Sequence, residues 1–239
     1  MPHRYFTQDI LEQEAFLRGA EAHHLGKVMR GKCGQELILC DGQGTDYLAE
    51  VVEIQKEEVR LKILSSSKNL SEPSHQVTLY VGYPKQDKLE WIIQKAVELG
   101  AVRIVPFFSK FCVVQPKKEQ DKNQRYQRIA LEAAKQSGRG VIPIVEMPLT
   151  YTELLAELKQ FDVALFCYEC GGKPIKDAIQ TANKVAIVTG SEGGFSPQEA
   201  EQAEQAGATL IGLGKRILRC ETAPLAALTA AMTLWGEFE

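Results

Sequence analysis

The sequence predicts a two-part α/β protein: a small N-terminal β-barrel followed by a larger, mostly parallel, doubly wound sheet. Three observations predict it. Residues 36–64 alternate apolar and polar side chains in short runs broken by glycine turns, the pattern of half-buried strands in a small barrel. Residues 65–74 are polar, contain Pro73 and have no period, so they read as a linker. From residue 77 onward strand-like and helix-like runs take turns, which implies parallel strands joined by helical crossovers. The domains are accordingly set at residues 1–70 and 75–239.

Each element has its own signal. Leu37, Ile38 and Leu39 lead into the turn Asp41-Gly42-Gln43-Gly44, and residues 47–54 form a second run. In Glu58-Val59-Arg60-Leu61-Lys62-Ile63 the alternation is strict. Residues 77–83 are a strand. Asp87 with Glu90 three positions later is a capping-box-like helix start. Leu89, Ile92, Ile93, Ala96 and Val97 then share one helical face, and Gly100 ends the helix. Residues 102–108 are a strand and residues 123–136 a helix that stops at Gly138. Strands follow at 163–168 and 184–189. Ser196-Pro197-Gln198-Glu199 is a stronger capping box, with proline at the first helical position; that helix ends at Gly207. Residues 209–213 are the last strand. Residues 223–235 are the last helix, rich in Ala and Leu and nearly free of charge. It must be buried, either in its own core or against another subunit.

Composition narrows the function. Lys and Arg number 28 against 31 Asp and Glu, a net charge of −3, so any nucleic-acid site must be a local patch. No run of about eighteen apolar residues is present, and no helix is expected to span a membrane. The start, Met1-Pro2-His3-Arg4-Tyr5-Phe6, lacks a signal peptide's apolar segment; the expected location is cytoplasmic. The cysteines Cys33, Cys40, Cys112, Cys167, Cys170 and Cys220 follow no regular framework, and thiols stay reduced in the cytosol. Cys167-Tyr168-Glu169-Cys170 is a lone CxxC without a second pair or a histidine at zinc-finger spacing, so the thiols read as inert and no metal is expected. His3, His23, His24 and His75 lie in the first third of the chain, which disfavours histidine chemistry at the loops that follow.

Two C-terminal loops carry the chemistry. Gly190-Ser191-Glu192-Gly193-Gly194-Phe195 follows one apolar strand, and Leu213-Gly214-Lys215-Arg216-Ile217-Leu218-Arg219-Cys220-Glu221-Thr222-Ala223 follows another. Loops at the carboxyl ends of neighbouring parallel strands are where open α/β sheets bind ligands. The alternative is a pair of strand–turn–helix connections with glycines for geometry. Glu192 inside the first turn repels phosphate, and neither G-x-G-x-x-G after the first strand nor a P-loop signature is present. A ligand with a positive centre, such as the sulfonium of S-adenosylmethionine, suits the turn better. Arg219 and Glu221 either pair with each other at the surface or face a ligand, where arginine presents fixed donors to anionic or carbonyl oxygens. Thr222 is placed as N-cap of the last helix.

Basic residues gather on the middle helix: Lys122, Arg125, Arg128 and Lys135, with Arg139 just past its end and Lys110, Lys117 and Lys118 before it. The run reads either as a solvated helix face or as an RNA-facing patch. Arg4, Lys27 and Arg30 are weaker candidates for phosphate contacts. Two other function classes compete: a nucleotide-dependent oxidoreductase or phosphotransferase, which the missing phosphate-loop signatures oppose, and a non-catalytic RNA-binding module, which the two C-terminal motifs oppose.

Those two motifs, together with residues 87–100, Arg103-Ile104-Val105-Pro106 and Glu132-Ala133-Ala134-Lys135-Gln136-Ser137-Gly138-Arg139, closely resemble the RsmE family of ribosomal RNA small subunit (uracil-N3)-methyltransferases, of the SPOUT class. His24, Leu25, Arg30 and Asp41-Gly42 look like that family's PUA-like barrel. Ser191 and Lys215 stand where the family often has proline, and Cys220 where it often has threonine. The resemblance implies a C-terminal SPOUT domain, a mostly parallel sheet with a trefoil knot, preceded by a PUA-like β-barrel, in a homodimer. It implies S-adenosylmethionine as cofactor and a uridine of small-subunit 16S ribosomal RNA as substrate, with no metal. Carried over, Gly190, Glu192, Gly193, Gly194, Leu213, Gly214, Ile217, Leu218, Thr222 and Ala223 hold the cofactor. Arg219 holds the uracil oxygens and the developing negative charge. Glu221 is either a base or an orienter of Arg219. From the charge pattern alone, Arg4, Lys27, Arg30, Arg125, Arg128, Lys135 and Arg139 are the candidate RNA contacts.

Overall fold

The computed structural model describes residues 3–112, 119–179 and 182–239; Lys117 and Lys118 lie outside them. It divides into two compact units, one made of Met1–Glu72 with Ala134–Ile142 and the other of Pro73–Ala133 with Pro143–Glu239. The segment 134–142 therefore clusters with the N-terminal unit, which a single cut near residues 70–75 does not provide for.

The N-terminal unit is a five-stranded sheet in the order β1 (Arg4–Phe6), β3 (Glu36–Cys40), β4 (Thr45–Ile54), β5 (Glu58–Lys68), β2 (Glu14–Arg18). Only β1 and β3 run parallel. Among the described residues the edge strands β1 and β2 do not pair with each other, so the sheet is an open half-barrel rather than a closed one. A short helix, α1 (Ala20–His23), runs into a π-helical stretch, His24–Val28. The core takes every second residue of the strands: Leu37 and Leu39, Ala49 and Val51, Val59 and Leu61, Ala15 and Leu17, as period-two burial requires. Ser65, Ser66 and Ser67, expected in a linker, instead extend β5 and pair with Leu48, Tyr47 and Asp46. Ladder hydrogen bonds are backbone bonds and do not need apolar side chains, so the polar stretch hid the strand.

The second unit holds a parallel sheet in the order β11 (Lys173–Pro174), β13 (Thr209–Gly212), β10 (Val163–Cys167), β12 (Lys184–Thr189), β6 (Gln76–Gly82), β7 (Arg103–Phe108), β8 (Ile144–Val145), with β9 (Leu149–Thr150) also pairing β7. Its helices are α2 (Lys88–Glu98), α3 (Glu119–Ser137, whose residues from Ala134 cluster with the N-terminal unit), α4 (Tyr151–Leu158), α5 (Pro197–Gln205) and α6 (Ala223–Leu234). Val77, Thr78, Leu79, Tyr80 and Val81 are all buried, as a strand covered on both faces must be. Tyr80, Phe107, Phe166 and Val188 enter one core with Leu154 and Leu158 of α4 and Ala200 and Ala203 of α5. Their strand neighbours point the other way, toward α6, which packs on β6 and β12 and carries α2 against it. Helix α4 starts at a capping box of Thr150 and Glu153. The Asp87 cap differs from expectation: Asp87 makes no side-chain capping bond, because its backbone (φ −88°, ψ 14°) is outside the extended region a capping residue needs.

Candidate active site

Strands β10, β12 and β13 are neighbours, so the loops after them meet at one carboxyl edge of the sheet. Between these loops lies a cavity of about 530 Å³, within the ordinary range for a small-molecule site. The turn after β12 supplies Gly190, Glu192, Gly193 and Gly194, and the loop after β13 supplies Leu213, Gly214, Ile217, Leu218, Arg219 and Ala223. Thr222 does not line it; it precedes α6 without a side-chain capping bond.

The first turn is held from both sides. The Gly194 amide donates to the Ser191 carbonyl at 3.0 Å, and Gly194 sits at φ +63°. A Cβ there would run into the Glu169 carboxylate. Phe195 anchors the turn in the core, its ring 4.1 Å from Phe166 centroid to centroid. Ser196 and Glu199 then close the expected capping box of α5, and buried Glu199 also accepts from the Lys110 amide at 2.8 Å.

Electrostatics join the two loops through a residue the sequence reading missed. The Lys88 ammonium lies 3.1 Å from Glu192 Oε1 and 3.2 Å from Glu221 Oε2. Burial pushes the Glu192 carboxyl up, but its own amide, the Lys85 amide and Lys88 outweigh it and hold it below the usual range. Glu221 has the same balance: burial raises it, while its own amide, the Cys220 thiol and Lys88 bring it lower. Burial and the two carboxylates push the Cys220 thiol up to about 12. Glu221 therefore neither orients nor pairs with Arg219. Its partner is Lys88, and a carboxylate held ionised this way is a poor base near neutral pH. Arg219 is exposed, and its guanidinium has no hydrogen-bond or ion-pair partner among the described residues. The cavity also takes in Tyr168 and Glu169 after β10. Their signal was a loop at the end of an apolar strand, obscured by reading 167–170 only as a cysteine pair. The thiols themselves are free, Cys167 buried and Cys170 exposed.

The basic candidates separate. In the N-terminal unit Arg4 forms a two-pronged pair with Asp46 at 2.6 and 2.7 Å. Lys135 pairs with Glu21 at 2.6 Å. Arg139, 2% exposed, bonds Glu72 at 2.7 Å. These three are internal struts, a correction to their reading as phosphate contacts: each charge is already matched. Lys27 and Arg30 are exposed. In the second unit Arg125 is exposed but pairs with Glu90 at 2.8 Å, and Arg128 is exposed.

Comparison with known proteins decides the family. A model described as an RNA methyltransferase domain matches residues 71–232, and one described as an RNA methyltransferase PUA domain matches residues 17–64. The chain is 36% identical over 242 residues to the ribosomal RNA small subunit methyltransferase E of Bacillus subtilis, covering 95% of this chain and 94% of that one. This chain belongs to the ribosomal RNA small subunit methyltransferase E family. A family member from Neisseria gonorrhoeae, solved bound to S-adenosylmethionine, is 31% identical and superposes with a TM-score of 0.92 over 98% of each chain. A putative methyltransferase from Legionella pneumophila, also solved with that cofactor, is 26% identical with a TM-score of 0.90 over 98% of each chain. Membership of the family agrees with the parallel-sheet domain and PUA-type unit expected from the motifs.

Proposed function

We infer that this protein is an S-adenosylmethionine-dependent methyltransferase acting on N3 of a uridine in the 16S RNA of the small ribosomal subunit. The observation that carries this reading is that both C-terminal motifs line one cavity at the carboxyl edge of a parallel sheet. The cavity fits the cofactor by its own chemistry. Ser191 Oγ is buried there without a hydrogen-bond partner among the described residues, which leaves it available to a ligand. Glu169 brings a carboxylate to a ligand with sulfonium and ammonium groups, while Glu192 is matched by Lys88. Backbone groups of Gly190, Gly194, Leu213 and Gly214, with the exposed Ile217 side chain, would hold the adenosine and methionine parts.

The bound cofactor supplies an electrophilic methyl group. This chain's residues must do the rest. The N3–H of uridine is normally paired, so the base has to be unpaired or flipped. N3 is a weak nucleophile until its proton leaves, and the unpartnered guanidinium of Arg219 is placed to hold the uracil oxygens and stabilise the resulting anion. The proton goes to water. Lys88, by neutralising Glu192 and Glu221, keeps these carboxylates from repelling that anion or capturing Arg219. Alignment accounts for much of the remaining acceleration.

Exposed Lys27, Arg30 and Arg128 are the RNA contacts best supported among the basic candidates. We place the enzyme in the cytoplasm, with its substrate, as a homodimer. The apolar hollow formed by Pro174, Ile175, Leu213, Ala226, Ala230 and Leu234 supports self-association, and half-exposed Leu234 on an almost uncharged helix is its rim. The trefoil knot belongs to this reading as well. The test is incubation with methyl-labelled S-adenosylmethionine and small subunits from cells lacking the enzyme. Mass mapping should find one N3-methyluridine in 16S RNA; label on another base or on no RNA sinks the assignment.

A further inference from the structure

A second cavity adjoins the first. Its volume is about 510 Å³, and it is lined by Lys85, Lys110, Phe111, Cys112, Glu192 and Gly193. Glu192 and Gly193 line both cavities, so one turn of backbone is their common wall. Of its cations only Lys110 stood in the basic run read as an RNA-facing patch: Lys85 and Lys110 lie in loops after β6 and β7, 25 positions apart in sequence. Only the pairing of β6 with β7 brings the two loops together.

Its lining has the chemistry of a single-stranded nucleic-acid site. Lys85 and Lys110 are exposed, and neither ammonium has an ion-pair partner among the described residues. The Lys110 ammonium sits 5.8 Å from the centre of the Phe111 ring, and Phe111 is 41% exposed. Cations for phosphates beside an aromatic face for a base are what single strands bind. Glu192 would oppose an anion here, but Lys88 at 3.1 Å and the Lys85 amide, also at 3.1 Å, compensate its charge. Three features show that the cavity is built rather than incidental. A Cβ on Gly193 would come within 2.6 Å of Phe111 Cβ, so only glycine lets the ring lie against the turn. Gln86 holds a positive φ of 58°, a costly conformation for a residue with a side chain. The Lys110 amide is pinned to the buried Glu199 carboxylate.

We propose that this cavity is the subsite for the RNA strand carrying the target uridine, with Phe111 stacking on an unpaired base and Lys85 and Lys110 holding its flanking phosphates. The proposal rests on the methyltransferase reading for the identity of the strand. It adds where on the enzyme that strand lies: across the Glu192–Gly193 wall from the cofactor cavity.

The test compares wild type, Lys85→Ala/Lys110→Ala and Phe111→Ala. Binding of a fluorescent single-stranded oligouridine is followed by anisotropy across a salt series, and S-adenosylmethionine binding by calorimetry. Alanine keeps the backbone bonds of residues 85 and 110, and intact cofactor binding reports an intact fold. The double variant should lower the slope of log K against log salt by about 1.4, for two phosphate contacts to a single strand. Phe111→Ala should weaken RNA binding by about 5- to 150-fold and Phe111→Trp should restore it, the range expected for one base stack. Both variants should bind cofactor as wild type does and show a raised KM for small subunits. Unchanged RNA affinity and salt slope in both variants would overturn the subsite. A wild-type protein that binds RNA through these residues but takes up no S-adenosylmethionine would instead sink the methyltransferase reading and leave the subsite standing.

Discussion

The Lys88 ammonium lies 3.1 Å from the Glu192 carboxylate, although the two residues are 104 positions apart. Because Lys88 also holds Glu221, one side chain at the start of α2 joins the loops after β12 and β13. Lys88→Met should loosen both. Exposed ion pairs contribute about 0.2–1 kcal/mol each, so losing two should raise the dissociation constant for S-adenosylmethionine by about 2- to 30-fold, measured by calorimetry. An unchanged constant would mean that the loops hold their places without the lysine.

The same contacts make a pH prediction. Glu192 and Glu221 are lower in the folded protein than in the unfolded chain. Their contribution to stability is therefore complete above the ordinary glutamate value of about 4.3 and lost as pH falls through the lower folded values. Lys88 is raised, by Glu192 first, then, against the opposing effect of burial, by Glu221. Its contribution is complete below the ordinary lysine value of about 10.4 and lost only at still higher pH. The melting-temperature gap between wild type and Lys88→Met should stay level from about pH 6 to 9 and close below about pH 4. A gap that grows on acidification would show that the carboxylates are not ionised partners.

Arg219→Ala should leave cofactor binding intact and lower methyl transfer by about 10²- to 10³-fold, the loss typical when one stabiliser of developing charge is removed. Arg219→Lys should recover little, because an ammonium lacks the fixed fork that spans two oxygens. Full activity in Arg219→Ala would take the residue out of the reaction.

Gly194 has a positive φ, and a Cβ would strike Glu169. Gly194→Ala should therefore weaken cofactor binding and lower the melting temperature together. The double variant Gly194→Ala/Glu169→Ala should recover little, because the exposed Glu169 carboxylate can swing aside, and roughly 1–2 kcal/mol of backbone strain should remain.

Arg139→Ala should destabilise the N-terminal unit by about 1.5–3 kcal/mol in chemical denaturation, because it removes the buried guanidinium's bonds to the Glu72 carboxylate, which keeps only the Gly140 and Val141 amides as donors among the described residues. The salt slope of RNA binding should stay the same. A lower slope with unchanged stability would return Arg139 to the RNA surface.

Much of the fold was legible because its signals are local. Gly100, Gly138 and Gly207 stop their helices at φ values of +98°, +77° and +97°, as their position after each apolar run suggested. The Ser196–Glu199 box formed because all of its partners lie within one turn. Helix α4 was missed although Thr150 and Glu153 carry the same signature; its eight residues are too few to establish a helical period. The charges on Arg4, Lys135 and Arg139 were visible, but their partners Asp46, Glu21 and Glu72 are 42, 114 and 67 positions away. Nothing in a linear reading distinguishes a free cation from a matched one.

The sequence alone determined the main alternation of strands and helices, the glycine stops of three helices and the two glycine-bearing loops, since each depends on neighbours a few residues apart. Tertiary structure alone decided that these loops share a cavity, that Lys88 rather than Arg219 holds Glu221, and that Lys85, Lys110 and Phe111 meet beside them. Strand order in a parallel sheet sets those meetings, and it depends on burial summed over the whole chain rather than on any short stretch of it.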